Sequence, residues 1–391
     1  MGKREATSPA ARPPLLSLAF CATSIQSMAD RARAGVRGVV ALLAVALGTS
    51  AAGVAPPASA AGTRPAASVL HGSQPGAPAA GLPAPVSRRL SGSGQAPSPA
   101  HPCGTLSGHP RVDQVLVIWE ENHSFSSIIG NAAAPEINKL ADRCGMAVDY
   151  LAVTHPSLPN YMSMTSGLSY AGAPWDTDCS PGGACSTRAP SIFSELARNG
   201  KQWRSYAESM AANCSLVTSG TYAARHNPAV YYTSIRSKCL SWDQPMGTPD
   251  KGALHQALRA GPVAALTTVT PNVDDDMHNG TVGEADKWLA GWVPQIVASP
   301  SYRSGRLAVV IVWDEGFGSG NEPSSAPLIV MSAYTHPGTR AVLPLDDYSV
   351  LRSVSELTGV RPLGRAARAR SFLRALNLCA HQSLGASRPR R

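Results

Sequence analysis

Ser157 lies between two prolines in His155-Pro156-Ser157-Leu158-Pro159-Asn160. Flanking prolines restrict the backbone and can hold a hydroxyl in one direction. A cation bound to such an oxygen lowers its pKa and makes a nucleophile of it. Candidate cation ligands stand in three further clusters: Glu121 with Asn122, Asp274 and Asp276 within Pro271–His278, and Asp314 with Glu315. Carboxylates and amide carbonyls are the hard oxygen ligands that divalent cations take, and carboxylates crowded together share protons or cations. In the third pair one acid can ligate while the other supports it. Glu120 suits the role less well, because neighbours on a strand point to opposite faces. His278 reads as a ligand or proton donor. His226, in Arg225-His226-Asn227-Pro228, reads as a substrate contact or the acid for a leaving group. Each cluster has a plainer reading. Ser157, Glu121 or Asn122 can cap a helix or turn, the aspartates can form a solvated loop, and His226 can lie on a surface loop.

These groups need elements that bring them to one place. Val115–Ile118 precedes Glu121, Val309–Val312 precedes Asp314, and the weaker run Ala265–Val269 precedes Asp274. Short β-branched runs read as buried parallel strands, and open α/β sheets bind ligands just beyond the carboxyl ends of their strands. Strands are expected at 114–119, 202–207, 265–270, 307–313 and 327–332. Helices are expected at 135–144, 160–167 (opened by Pro159), 190–199, 284–298 and 346–358, with 208–262 irregular. The start of the helix after Ser157 would offer free N–H groups to an anion. The alternation predicts one α/β domain with a mostly parallel central sheet, without internal repeats.

The chain has 391 residues and a formal charge of +9. Residues 1–60 carry +4 and residues 361–391 carry +8, which leaves −3 for the stretch between them. The basic excess is therefore terminal. An Arg-rich end can make weak contact with an anionic envelope surface, although a solvated helix face and tail explain it equally. No interleaving of aromatic and basic residues points to nucleic acid. Val39–Gly48 is apolar, follows Arg31, Arg33 and Arg37, and precedes Ala58-Ser59-Ala60. That is the layout of a secretory leader, with Met1 or Met28 as its start. The expected organisation is an extension and signal peptide at 1–60, a disordered linker rich in Pro, Ala, Gly and Ser at 61–107, a catalytic domain at 108–379 and a basic tail at 380–391. Secretion allows disulfides. Cys179 with Cys185 and Cys214 with Cys239 are economical local pairs, and the odd number of cysteines after the leader leaves one over.

Glu121-Asn122, Thr154–Tyr161, His226-Asn227-Pro228, Pro271–His278 and Trp313-Asp314-Glu315 occur in this order. Across residues 111–379 the chain thereby resembles the phosphoesterase family of acid phosphatases and bacterial phospholipases C, within the alkaline phosphatase-like superfamily. The resemblance implies a three-layer α/β sandwich. It implies Ser157 as nucleophile, His278 and His226 as catalytic imidazoles, and Asn160, His226 and His155 on the substrate side. It also implies Glu121, Asn122, Asp314, Glu315, Asp274 and Asp276 around a divalent cation (Zn, Mg, Mn or Ca). Asp347-Tyr348-Ser349 departs from the His-Tyr-Ser usual in the family; Asp347 can still bind a cation but cannot donate a proton as imidazolium does. The function implied is a secreted acid phosphatase acting on small-molecule or lipid phosphate monoesters, including phosphoinositides. A phospholipase C-type phosphodiesterase and a non-catalytic envelope-associated binding protein are the alternatives. Oligomeric state is not legible.

Overall fold

A computed structural model of the chain describes residues 95–318 and 323–379. The expected leader and basic tail lie outside the described residues, as does most of the expected linker. Eleven strands are described: β1 Gln114–Glu120, β2 Gly145–Ala147, β3 Tyr150–Ala152, β4 Trp203–Ala207, β5 Asp243–Pro245, β6 Leu266–Thr270, β7 Leu307–Trp313, β8 Ser324–Ser325, β9 Leu328–Met331, β10 Thr339–Ala341 and β11 Leu345–Asp346. Eight form one sheet in the order β10-β2-β9-β7-β1-β6-β4-β5. Only β9 runs against the rest. Central β1 pairs in parallel with β7 on one side and β6 on the other, with Ile118 level with both Ile311 and Val269. Every residue of β1, β6 and β7 is buried, which is why the interiors of β1 and β7 run apolar without alternation. β11, β3 and β8 form a separate small sheet.

Helices cover both faces. Ser157–Ser166, Ile192–Arg198 and Asp347–Thr358 pack together on one side, and Pro135–Arg143, Ala253–Arg259, Val282–Ala298 and Pro300–Arg303 on the other. This is the three-layer arrangement. The period of two in β1 then sorts its side chains. Val117 and Trp119 face a small cavity shared with Met164, Thr165, Ile192 and Val350, and Trp119 meets Tyr161 edge-on at 5.4 Å.

Several expectations are corrected. The helix expected from Asn160 begins at Ser157; Pro159 is accommodated in its first turn, where a missing N–H breaks no bond. The stretch 208–262, expected to be irregular, holds helices at Arg236–Trp242 and Ala253–Arg259 and strand β5. The linker does not extend to 107: Cys103 is disulfide-bonded to Cys144, and the Leu106 N–H donates to the Ala333 carbonyl at 2.9 Å. Cys179–Cys185 and Cys214–Cys239 pair as expected. No cysteine is left over among the described residues, since Cys379 is also disulfide-bonded. The helix of Ser157 ends at Gly167, which is left-handed with φ 70°. There the backbone crosses Gly364 so closely that a Cβ on either glycine would strike the other segment's backbone, and the Arg365 N–H donates to the Gly167 carbonyl at 2.8 Å. Among the described residues no helix is long and apolar enough to cross a membrane.

Candidate active site

The carboxyl ends of the three central strands meet at one point. The Glu121 N–H donates to the Asp276 carbonyl, and the Asp314 N–H to the Glu120 carbonyl, each at 2.9 Å. Backbone bonds thus tie the segments after β1, β6 and β7 together. Glu121 follows Trp119 by two residues and so shares its face of the sheet, the face that carries the helix of Ser157. The Ser157 Oγ–H donates to Glu121 Oε2 at 2.9 Å. One turn along that helix, the Tyr161 hydroxyl makes a short bond to Glu121 Oε1. His226 Nε2 lies 3.3 Å from the same Oε1, and its Nδ1 lies 3.0 Å from Asp276 Oδ2.

The acidic loop after β6 turns sharply. Met277 has φ 78°, a strained left-handed conformation for a non-glycine residue. It lets the His278 N–H donate to Asp276 Oδ1 at 2.8 Å. Gly280 lies against the Asp274 backbone with no room for a Cβ. The turn separates the three aspartates. Asp276 points inward and is buried. Asp275 accepts from the Asn272 amide at 2.9 Å. Asp274 is exposed, so the structure does not bring it to the acids it was expected to join.

On the other side, the Asn122 N–H donates to Asp314 Oδ1 at 3.2 Å and its side-chain amide to Glu315 Oε1 at 3.4 Å. Glu315 Oε2 accepts from the Asn160 amide at 3.3 Å and lies 3.0 Å from His155 Nδ1. Asn160 also donates to the Thr154 carbonyl at 2.9 Å and accepts the Thr154 N–H at 3.2 Å. Expected to hold phosphate, it here braces the turn that presents Ser157. Asp347 sits one layer back. It accepts from the Tyr150 hydroxyl at 2.7 Å and from the Val153 N–H at 3.5 Å, so it supports the same turn from below rather than bonding to Glu121, Asn122, Asp314 or Glu315.

Sequence reasoning gave no role to three further residues. Tyr161 was legible, because it lies four residues from Ser157 on the same helix face. Arg225 donates from Nη2 to His278 Nε2 at 3.0 Å. Asp178 accepts the Leu158 N–H at 3.0 Å, and its position in a loop rich in Gly, Ser and Cys gave no signal.

Burial, and then the neighbouring acids Asp314 and Asp276, push Glu121 well above the carboxylate range. Burial chiefly raises Asp276 and Asp314 to about 7, and burial with the charge of Asp314 raises Glu315 to about 9. Burial, followed by the charges of Arg225 and His278, lowers His226 well below its ordinary value. His226 is therefore a neutral imidazole, the form that ligates metals. Asp314 Oδ2 and His226 Nε2 are both buried without a hydrogen-bond partner, although His226 Nε2 faces Glu121 off hydrogen-bond geometry. Ligand atoms of Glu121, His226 and His278 all lie within 4.8 Å of one another. Crowded acids, orphaned buried donor atoms and mixed oxygen and nitrogen ligands fit a divalent cation. The second cluster of this kind, Cys214, Cys239 and Asp243, does not fit one, because its sulfurs form a disulfide.

The sequence pattern of the phosphoesterase family matches residues 131–361. A phosphatidylinositol-3-phosphatase of Mycobacterium tuberculosis is 31% identical over 271 residues, covering 67% of this chain and 82% of the relative. A phosphate-repressible acid phosphatase of Penicillium chrysogenum is 23% identical over 65% of this chain, which spans 60% of that relative's length. Among solved structures, a protein in the alkaline phosphatase superfamily from Vibrio parahaemolyticus superposes with a TM-score of 0.44 at 11% identity, over 71% of this chain and 74% of that one.

Proposed function

The chain belongs to the phosphoesterase family and is a hydrolase of phosphoric esters; from that premise we propose that it is an exported acid phosphatase that cleaves phosphomonoesters through Ser157. The observation that carries the reading is the buried hydroxyl of Ser157 donating to Glu121 Oε2 at 2.9 Å, at the rim where β1, β6 and β7 deliver their acids. Glu121 takes the Ser157 proton, and Oγ attacks phosphorus in line with the ester oxygen. The phosphorus–ester bond breaks, and a phosphoseryl group and an alcohol form, the alcohol taking its proton from His278, beside the His226 ring. Their rings lie 5.4 Å apart. Water then hydrolyses the phosphoserine. Glu121 and Asp314, with His226, would hold the divalent cation, whose chemistry is to lower the hydroxyl pKa and screen phosphate charge. Asn160 and Asp347 keep the Ser157 turn rigid.

The substrate class is a small-molecule or lipid phosphate monoester. The phosphoinositide phosphatase among the relatives supports including lipid headgroups. Export is supported by the leader layout near the N-terminus and by the described disulfides, which persist in oxidising compartments. The test is release of product from p-nitrophenyl phosphate, bis-p-nitrophenyl phosphate and a phosphorylated lipid, with and without added cation. Cleavage of the diester in preference to the monoester would replace this reading with the phospholipase C-type one.

A further inference from the structure

We propose that Asp178 is an internal stand-in for the substrate phosphate, seated in a cradle made by the Leu158 amide and Arg225, and that substrate must displace it. The inference rests on the phosphatase reading of Ser157.

Leu158 is the residue after Ser157 and the second of its ten-residue helix. Its N–H is one of the first-turn donors that no intrahelical carbonyl can satisfy, and such donors receive phosphate oxygens. Here it donates to Asp178 Oδ1 at 3.0 Å. The other carboxylate oxygen, Oδ2, lies 3.4 Å from Arg225 Nε. One anion thus bridges a helix N-terminus and a guanidinium directly beside the nucleophile. Arg225 reaches on to His278 Nε2 at 3.0 Å, while Asp314 Oδ2 and His226 Nε2 stand buried and unpartnered in the same site.

Neighbouring acids disfavour a carboxylate there. The charge of Asp178 is among those that raise Asp314 and Glu315, so it is an acid set against acids. Yet its side chain is 32% exposed and stands just before the loop stapled by Cys179–Cys185. It can turn out to water without disturbing the core. A phosphate taking its place would meet the planar fork of Arg225, which suits two oxygens at once, and would draw that fork away from His278 Nε2. A singly charged carboxylate yields more readily to a dianionic monoester than to a monoanionic diester. Asp178 and Arg225 are therefore specificity-determining residues for phosphate charge.

The test is the affinity for inorganic phosphate, read from the phosphate-dependent shift of the thermal midpoint in a cation-containing buffer. Wild type, Asp178→Asn, Arg225→Ala and the double variant are compared. Asn keeps an oxygen for the Leu158 N–H but loses the competing charge; Asp178→Ser serves if that variant folds poorly. Without the competing anion the competent fraction rises. Asp178→Asn should bind phosphate about three- to tenfold tighter and narrow the preference for monoester over diester. Arg225→Ala should bind it on the order of tenfold weaker, and the gain from Asp178→Asn should vanish in the double variant. Equal or weaker binding in both Asp178 variants, or a gain that survives without Arg225, would overturn the proposal. Because the readout needs no turnover, a wild type that binds phosphate but hydrolyses no ester would fail the phosphatase reading separately.

Discussion

Glu120 and Glu121 are chain neighbours, both without solvent exposure, and their fates differ completely. Glu121 faces the helix of Ser157 and is met by the hydroxyls of Ser157 and Tyr161 and by His226. Glu120 faces the opposite layer, and neither of its carboxylate oxygens has a hydrogen-bond partner. Acids lie around it too, but each has found its own donors. Glu208 accepts from the Trp288 indole at 3.0 Å, and Asp286 accepts the Ile137 N–H at 2.8 Å. Burial, and then the charges of Asp276, Asp275, Glu208 and Asp286, hold Glu120 well above the carboxylate range, so it keeps its proton where surface acids have lost theirs. Burial and acidity are common to both residues. What distinguishes the site is convergence: on one face of β1 a serine hydroxyl, a phenol and an imidazole all aim at the same carboxylate.

The sharpest break in that convergence is removal of the Ser157 hydroxyl. Ser157→Ala should lower turnover of p-nitrophenyl phosphate on the order of 10³-fold or more while inorganic phosphate still binds. Retention of substantial activity would hand the attack to a water and leave Ser157 as the start of a helix. Next comes the glutamate pair itself. Glu121→Gln should cost about 10²- to 10⁴-fold in kcat through loss of the base, whereas Glu120→Gln should stay within roughly threefold of wild type, as a substitution away from the reacting groups does. Comparable losses in the two variants, measured side by side with circular dichroism as the control for folding, would erase the distinction drawn here.

The smallest effect concerns pH. In cation-free protein, Asp276, Asp314 and Glu315 have folded-state pKa values above those of the unfolded chain, so the folded state holds the extra protons. Their stabilising contribution is complete below the unfolded carboxylate range near about 4. It is lost as pH rises through about 7 for Asp276 and Asp314 and about 9 for Glu315. The thermal midpoint of the cation-free form should therefore fall by a few degrees between about pH 5 and about pH 9. An added divalent cation should restore more of it at the upper end. A flat profile, or a cation effect independent of pH, would argue against crowding of these acids.

Much of this was legible in the residues. β1 and β7 announce themselves because central parallel strands are buried on both faces, and the acids that follow them had to arrive at the same rim. Alternation along β1 was enough to separate Glu121 from Glu120. The short strands β2, β3, β8, β10 and β11 were not legible, since two or three residues hold no period. The bracing contacts of Asn160 and Asp347 were not legible, because only the fold reveals that the Thr154 backbone and Tyr150 lie against them. Asp178 and the Cys103–Cys144 bridge depend on contacts across the fold that no local spacing encodes. The first helix residue was misjudged because proline was read as an opener, when the first turn accommodates it at any position whose N–H is unbonded.

The crossing of Gly167 and Gly364 has a consequence in time. The helix that presents Ser157 is closed at its far end by backbone made some two hundred residues later, and Glu315 also comes late in the chain. Domains acquire structure as the chain emerges from its N-terminal end, so β1 and the Ser157 turn exist long before their partners do. Until the segment around Gly364 arrives, the far end of that helix lacks its backbone crossing, although the strands that carry the acids are already made. A chain that stops just short of Gly364 thus carries every described strand of the sheet, but lacks the crossing that closes the helix of Ser157.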